Sequence, residues 1–246
     1  MRIPISLLFF ICLSTNLLAQ SHSPILKHRW VAKFSPANTI DPITPSLQIG
    51  LEHKLNSKSS IQVELGHILA SDLFYRQTSD SAIFPNHQGT KIRLEYRRNA
   101  ATIGFVNDLL ETFFNSNQGF YLAAEMFHTT INYNSRQAYF DRKEQSGHQD
   151  YGSDYYNATY YRVKIEREIY GLNVKFGLQR SFDHFVLDGY IGGGLRYRKV
   201  RHTGDFNKDH IWTSGWRHPT IWGVTEMPGD YGGIGIPLNI KVGYAF

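Results

Sequence analysis

The last segment of the chain, IGIPLNIKVGYAF at residues 234–246, decides the fold. Its apolar side chains occupy every second position, with Gly, Pro, Asn, Lys or Ala between them. A β-strand directs every second side chain to the same side, whereas helical spacing would scatter these residues round a cylinder. The segment therefore predicts a strand with one apolar face and one small or polar face.

The same alternation recurs in seven earlier stretches, which brings the predicted number of strands to eight. They lie near residues 30–34, 47–55, 61–69, 91–97, 120–126, 161–178 and 185–197. In one of them the parity changes, because Tyr161, Val163 and Ile165 are out of phase with Leu172 and the residues after it. We expect either a bulge or a strand extension beyond a membrane near residues 166–169.

Composition excludes several classes of protein. The 246 residues are 41% hydrophobic, 14% aromatic and 19% charged, with a formal net charge of +5. This balance disfavours intrinsic disorder and is typical of one domain, or at most two. A surplus of five charges is too small to indicate a nucleic-acid partner, and none is expected.

The N-terminus has the pattern of an export signal. Arg2 precedes the apolar run 5–13, and Ala19 supplies a small residue for cleavage. We expect residues 1–19 to be a signal peptide and residues 20–246 to form the mature domain. Cys12, the single cysteine, would be discarded with the signal, which excludes disulfides and thiolate chemistry. No later stretch approaches 18 consecutive apolar residues, so no transmembrane helix is expected.

The lengths of the connections predict a transmembrane barrel. The long ones, at 70–88, 133–158 and 202–232, would all lie on the outer side, and the short ones, at 56–58 and 181–183, on the inner side. This asymmetry is typical of outer-membrane barrels. We therefore expect an all-β, eight-stranded antiparallel up-and-down barrel in the outer membrane of a Gram-negative bacterium. A soluble exported β-sandwich is the alternative.

The inner connection at 99–118 is unusually long. Apolar residues recur in it at helical spacing, namely Ile103, Val106, Leu109, Leu110, Phe113 and Phe114. This spacing predicts a short amphipathic helix at the periplasmic rim. The competing interpretation makes residues 100–106 an additional strand, which would give ten strands.

Two resemblances extend this interpretation. The terminal stretch PLNIKVGYAF resembles the signal read by the outer-membrane insertion machinery, carried by Leu238, Ile240, Val242, Tyr244 and Phe246. The segments KIRLEYRR, GFYLAAEMF, YGLNVKFGLQ and LDGYIGGGLRYR, with the region HRWVAKFSPANTIDPITPSLQIGLEHKLNSKSSIQVELGH before them, resemble a family of small outer-membrane barrels of unknown function in Bacteroidetes. The second resemblance implies an OmpA/OmpX-like barrel without an assigned reaction.

The positions between the apolar residues of each strand predict which side chains fill the lumen. An eight-stranded barrel is just wide enough for side chains to fill it, and charges of both signs in so narrow a space are expected to pair. The predicted luminal charge network is Glu52, Glu64, Arg93, Glu95, Arg97, Glu125, Lys175, Asp188, Arg196 and Lys241. Lys33 and Arg198 share this inward parity. The functional alternative is a small anion-preferring pore lined by the basic excess.

Candidate catalytic and metal-binding residues are sparse. A rim enzyme that hydrolyses or transfers the acyl chains of lipid A needs a nucleophile, a base and an orienting group. The nearest sets are His67 with Ser71 and Asp72, and His128 with Thr129 and Thr130. Asp205, Asn207 and Asp209 have the spacing of a calcium loop, but His210 and Trp216 occupy the positions that need Gly and Glu. We expect no enzyme, metal or cofactor, and keep the lipid A-modifying enzyme as an alternative.

The long outer connections are rich in aromatic residues. The contact candidates are Trp212, Trp216, Trp222, Tyr155 and Tyr156. Exposed aromatic side chains are typical of contact surfaces, so they could bind a glycan, a protein or lipopolysaccharide, or pack over the barrel mouth. The sequence thus predicts a structural or surface-interaction barrel whose partners are outer-membrane lipid, lipopolysaccharide and the insertion machinery, with an extracellular glycan or protein as a further candidate.

Overall fold

The protein forms a closed eight-stranded antiparallel β-barrel, as the alternation predicts. The computed structural model describes residues 29–39, 44–69, 88–114, 118–141, 159–204, 210–212 and 228–246. The expected signal peptide, residues 1–19, lies outside this described part of the chain. No helix among the described residues is both long and apolar enough to cross a membrane.

The wall of the barrel follows the order of the chain. Its strands are β1 (Trp30–Phe34), β2 (Ser46–Lys54), β3 (Ser59–Ile68), β4 (Gln88–Asn99), β5 (Phe120–Asp141), β6 (Thr159–Phe182), β7 (Phe185–Thr203), and β9 (Gly229–Gly235) with β10 (Leu238–Ala245). The last two act as one strand, because β9 and β10 pair with β7 in a single register. A short helix, α1 (Pro36–Thr39), follows β1, and β8 (His210–Trp212) extends the sheet beside β5.

The barrel closes between its first and last strands. Trp30 and Phe246 exchange two backbone hydrogen bonds, of 3.2 and 2.9 Å, and β1 pairs with β10 from Val31 opposite Ala245 onward. Following the paired residues from Val31 round the wall leads to Gly235, ten residues from Ala245 (245 minus 235). Such a stagger makes the strands tilt steeply, which is how an eight-stranded sheet closes.

The predicted helix of the long inner connection is present. Residues Ala100–Thr102 form a turn of 3-10 helix, and α2 spans Gly104–Phe114, so the ten-strand alternative is wrong. The apolar side of α2 packs against the outer surface of β5 and β6, where Val106 and Leu110 contact Phe120 and its neighbours. Phe105 on the same helix is 71% exposed. The helix therefore lies against the outward face of the wall. It is at the end of the barrel that carries the short turns, which we call the inner end; the opposite end is the outer end.

Two predicted outer loops are shorter than expected. Residues 133–141 continue β5, and residues 210–212 pair with residues 139–141, so parts of the connections predicted at 133–158 and 202–232 are strand. The register of β5 with β6 is continuous from Phe120 to Tyr139, without a bulge. The change of parity in β6 therefore reflects the strand extension, in which Val163 and Ile165 point into the barrel and are buried.

The two short inner connections are tight turns, as predicted. The Asn56 side chain accepts hydrogen bonds from the Lys58 backbone N–H at 2.8 Å and the Ser59 hydroxyl at 3.0 Å. Between β6 and β7, Asp183 adopts a positive φ of 54°. Asn and Asp tolerate these turn conformations because their short side chains bond to nearby backbone. These two turns fix the register of the hairpins they connect.

Candidate functional site

The lumen holds a network of charged side chains to which all eight wall strands contribute. It joins five acidic and five basic residues by ion pairs, so its formal charge is zero: Glu52, Glu64, Glu95, Glu125 and Asp188, with Lys33, Arg93, Arg97, Lys175 and Lys241. Nine of these ten were predicted members of the network. Lys33, on the shortest wall strand, was predicted to point inward but not to join the network, and Arg196 lies in the basic layer described below.

The inner half of the network is built round Asp188. Its Oδ2 atom accepts hydrogen bonds from Lys33 Nζ and from Arg97, at 2.7 Å each. Its Oδ1 atom accepts a hydrogen bond from the Tyr121 hydroxyl at 2.7 Å. Lys33 Nζ also lies 2.5 Å from Glu52 Oε2. The Arg97 guanidinium stacks over the Tyr121 ring at 4.4 Å. These contacts connect five strands, β1, β2, β4, β5 and β7, through the lumen.

The outer half of the network is built round Lys175. Its ammonium contacts Glu125 and lies 2.6 Å from Glu95 Oε2, above the Tyr190 ring at 4.0 Å. Lys241 contacts Glu64 and lies 4.9 Å from the same ring. Lys175 and Lys241 are each 0% exposed. Because these two lysines have no surface exposed to solvent, the lumen at their level is filled by side chains rather than by solvent.

Three carboxylates of this network come close enough to share a metal ion. Oxygen atoms of Glu64, Glu95 and Glu125 lie within 4.8 Å of one another, which is the single such group in the part of the chain that the structure describes. Each of the three already contacts a lysine or an arginine. The positive charge that three clustered carboxylates need is therefore supplied by the protein itself.

A second layer in the lumen consists of basic residues and lies between this network and the outer end of the barrel. It contains Arg196 and Arg198 on β7 and Arg167 on β6. The sequence analysis did not predict that Arg167 points inward, because the apolar residues of β6 change parity near it. Arg196 and Arg93 both lie 5.8 Å from the centre of the Phe127 ring. Lys91, also on the inward face, donates to Thr44 and Ser46 at 3.0 Å. The basic excess predicted from the sequence is thus concentrated towards one end.

An apolar cluster lies beside the basic layer, on the inward face of the strand extensions. Its buried members are Ile68, Ile131, Tyr133, Val163, Ile165 and Val200, with Tyr161, Ile169 and Tyr231 packed against them. In the strand extensions the inward face is therefore apolar and the outward face polar. This polarity is the reverse of that in the rest of the wall.

The apolar side chains of the alternating pattern lie on the outward face of the wall. We call this band of exposed apolar side chains the belt. Ile234 is 72% exposed, Leu195 70% and Leu238 71%. Aromatic side chains flank this belt, with Trp30, Tyr96 and Tyr244 exposed towards the inner end and the adjacent Tyr170 and Tyr197 towards the outer end. The residues named for the assembly signal lie on β10 and just after it, with Leu238, Ile240, Tyr244 and Phe246 exposed and Val242 half-buried.

The belt has a definite height. Phe185 and Tyr197 bound it on β7 and lie twelve residues apart (197 minus 185). At about 3.3 Å per residue and a tilt of about 45°, this corresponds to about 28 Å, close to the ~25 Å apolar band of outer-membrane barrels.

The described residues do not assemble a catalytic set from the candidates named in the sequence. His67 is exposed on the outer surface opposite Thr90, and Ser71 and Asp72 lie outside the described residues. His128 stacks on Tyr170 with ring centres 4.4 Å apart, while Thr130 lies within hydrogen-bond distance of Thr90 at 3.0 Å. Both histidines are therefore wall residues of the outer surface.

The aromatic contact candidates fall mostly beyond the described residues. Trp216, Trp222, Tyr155 and Tyr156 lie outside them, as do Asp205, Asn207 and Asp209 of the calcium-like spacing. Trp212 belongs to β8 and pairs with Tyr139 of β5.

No family model, curated protein or solved structure matches this chain.

Proposed function

We propose that this protein is an outer-membrane barrel with a structural role, which anchors and displays its outer connections at the cell surface. The observation that carries the proposal is the inverted polarity of the wall. Lys175 on β6 and Lys241 on β10 are completely buried, while Ile234 on β9 and Leu238 on β10 are largely exposed. In water, burying such aliphatic side chains would stabilise the folded protein. Their exposure on the outward face therefore fits a lipid environment.

The packed lumen favours the structural role over the pore. Ion conduction needs a wetted path, and wide lumens need more strands than eight. The paired charges and the neighbouring apolar cluster fill the space through which an anion would move. The resemblance to small barrels of Bacteroidetes agrees with this proposal and extends it to an OmpA/OmpX-like protein of that group.

The positions of the long and short connections support a proposed membrane orientation. The connections 70–87 and 142–158 leave the barrel at the end that carries the apolar cluster, whereas the turns at 55–58 and 183–184 lie at the opposite end. Long connections of outer-membrane barrels face outward. We place the first end at the cell surface, where its aromatic connections would meet lipopolysaccharide, a glycan or a protein.

Epitope accessibility in a Gram-negative host tests this proposal. An epitope inserted within residues 142–158 should be labelled by antibody on intact cells, and the protein should be recovered in the outer-membrane fraction. The matched control is the same epitope inserted at the turn 56–58, which should be labelled only after the cells are opened. Recovery in the soluble periplasmic fraction, or labelling of both sites on intact cells, would contradict the proposal.

A further inference from the structure

The three arginines of the basic layer lie close enough to repel one another. Arg198 is opposite Ile169 and diagonal to Arg167, which faces Val200 in the same strand pair. The like charges of Arg167 and Arg196 both act on the Arg198 guanidinium. Arg167 is buried and Arg198 is half-buried, so water screens this repulsion only in part. The repulsion that acts on Arg198 is costly unless an anion beside Arg198 compensates it.

The luminal acids do not supply this compensation to Arg198. The five acids of the network are already matched by five other basic residues. The described groups that act electrostatically on Arg198 are Arg167, Arg196 and the Tyr231 hydroxyl. The Nε atom of Arg198 is buried and has no hydrogen-bond partner among the described residues. A buried donor of this kind is costly unless an acceptor occupies the space beside it.

The wall provides space beside these arginines. Gly233 on β9 is opposite Arg196, and a Cβ atom built on Gly233 would meet no atom within 4 Å. At Gly235, by contrast, a Cβ would collide with the Arg196 side chain. Within the described residues β9 pairs only with β7, so its other edge has no strand partner there. Arg196 thus extends along β9, next to the space at Gly233.

We propose that Arg198, together with Arg167 and Arg196, forms a binding site for a phosphate group at the outer end of the lumen. Guanidinium groups donate several hydrogen bonds in a fixed fork, which matches the several acceptor oxygens of a tetrahedral oxyanion. The phosphate belongs either to free inorganic phosphate or to a lipid headgroup that enters beside β9. This site goes beyond the structural role proposed above and does not depend on it.

Phosphate titration of the refolded protein tests the site. The protein is held in lauryldimethylamine oxide, which contains no phosphate, and binding of inorganic phosphate is followed by calorimetry. Arg198→Gln should weaken binding about tenfold, or about 1.4 kcal/mol. Arg98→Gln is the matched control, because Arg98 is exposed and bonded to Thr102 at the inner end, and it should change binding less than twofold. Equal affinities for the two variants would overturn the proposal.

A second titration distinguishes the two sources of the phosphate. Phosphatidic acid is added to the micelles, with phosphatidylcholine as the control lipid. A lipid headgroup ligand predicts that phosphatidic acid binds more tightly than inorganic phosphate and that Arg198→Gln weakens it. A free ligand predicts saturable binding of inorganic phosphate alone. Both results support the site, whereas saturable binding of neither would overturn it.

Chemical modification provides a test on the wild-type protein if the variant does not refold. Phenylglyoxal modifies accessible guanidinium groups, and mass spectrometry locates the modified residues. Phosphate should slow modification of Arg198 at least severalfold and leave Arg98 unaffected. Equal modification of Arg198 with and without phosphate would overturn the proposal. Heat-dependent gel mobility, measured on the same samples, shows separately whether the barrel is folded.

Discussion

Lys33 and Asp188 form an ion pair across the lumen, with Nζ and Oδ2 2.7 Å apart, although β10 lies between their strands in the wall. The same oxygen accepts a hydrogen bond from Arg97 on β4 at 2.7 Å. Strands that are not neighbours in the sheet are thus joined through the interior. We infer that the lumen performs for this barrel the role that an apolar core performs in a water-soluble protein.

Removing the Asp188 carboxylate should destabilise the barrel strongly. Asp188→Asn leaves Lys33 and Arg97 without part of their compensating charge, and breaking a buried pair typically costs about 3–5 kcal/mol. The measurement is urea unfolding in lipid vesicles. Glu166→Gln serves as the control, because its pair with Lys164 is exposed and should contribute about 1 kcal/mol or less. Equal shifts for the two variants would show that the network does not stabilise the fold.

The alternation of the sequence was sufficient to predict the barrel but not this pairing. Residues 234–246 indicate which side chains point inward, because parity is a property of a single strand. The contact between Lys33 and Asp188 depends on the stagger of all eight strands, which no single stretch encodes. The resulting geometry is what brings Lys33 into the network beside Lys175 and Lys241.

The outer extensions were the part that the alternation described least well. Beyond the apolar belt, outward positions such as Asn132 and Asn134 are polar while Ile131 and Tyr133 point inward. The proposed membrane explains this change, because lipid would select apolar outward side chains only within the belt. The inward direction of Arg167 was missed for the same reason. A reversal of polarity along a continuous strand therefore indicates where a barrel leaves the apolar layer.

A charge on the outer belt should be costly only if the belt contacts lipid. Ile191 lies midway between Phe185 and Tyr197 on β7 and is exposed. At the bilayer centre, Ile191→Arg should destabilise the protein by about 2–4 kcal/mol in urea unfolding. Leu55→Arg, at an equally exposed position in the inner turn, should cost less than about 1 kcal/mol. A negligible effect at Ile191 would argue for an aqueous environment.

The terminal strand should carry the assembly signal. Phe246→Ala should reduce the heat-modifiable, folded fraction in cells severalfold, because the insertion machinery is expected to read this alternating apolar face. Phe182→Ala is the matched control, since Phe182 is a similarly exposed aromatic residue at the inner hairpin. If both variants assemble to the same extent as the wild type, residues 238–246 are not the signal.

The filled lumen predicts electrical silence. Wild-type protein with verified insertion into planar bilayers should give no single-channel steps, because completely buried lysines such as Lys175 leave no wetted path at mid-lumen. A wide porin inserted under the same conditions provides the positive control. Reproducible steps from the wild-type barrel would favour the pore over the structural role.

The most direct test of the account measures what three consecutive side chains of β6 contact. A nitroxide label is attached in turn to cysteine variants of Leu172, Asn173 and Val174 in lipid vesicles, with Cys12, the single native cysteine, absent from the refolded protein. Leu172 and Val174 are exposed and Asn173 is buried. If the barrel spans a membrane, labels at Leu172 and Val174 should collide frequently with oxygen dissolved in the lipid and rarely with a water-soluble nickel reagent, whereas the label at Asn173 should be shielded from both. Frequent collision of the Leu172 and Val174 labels with the nickel reagent would contradict the membrane barrel.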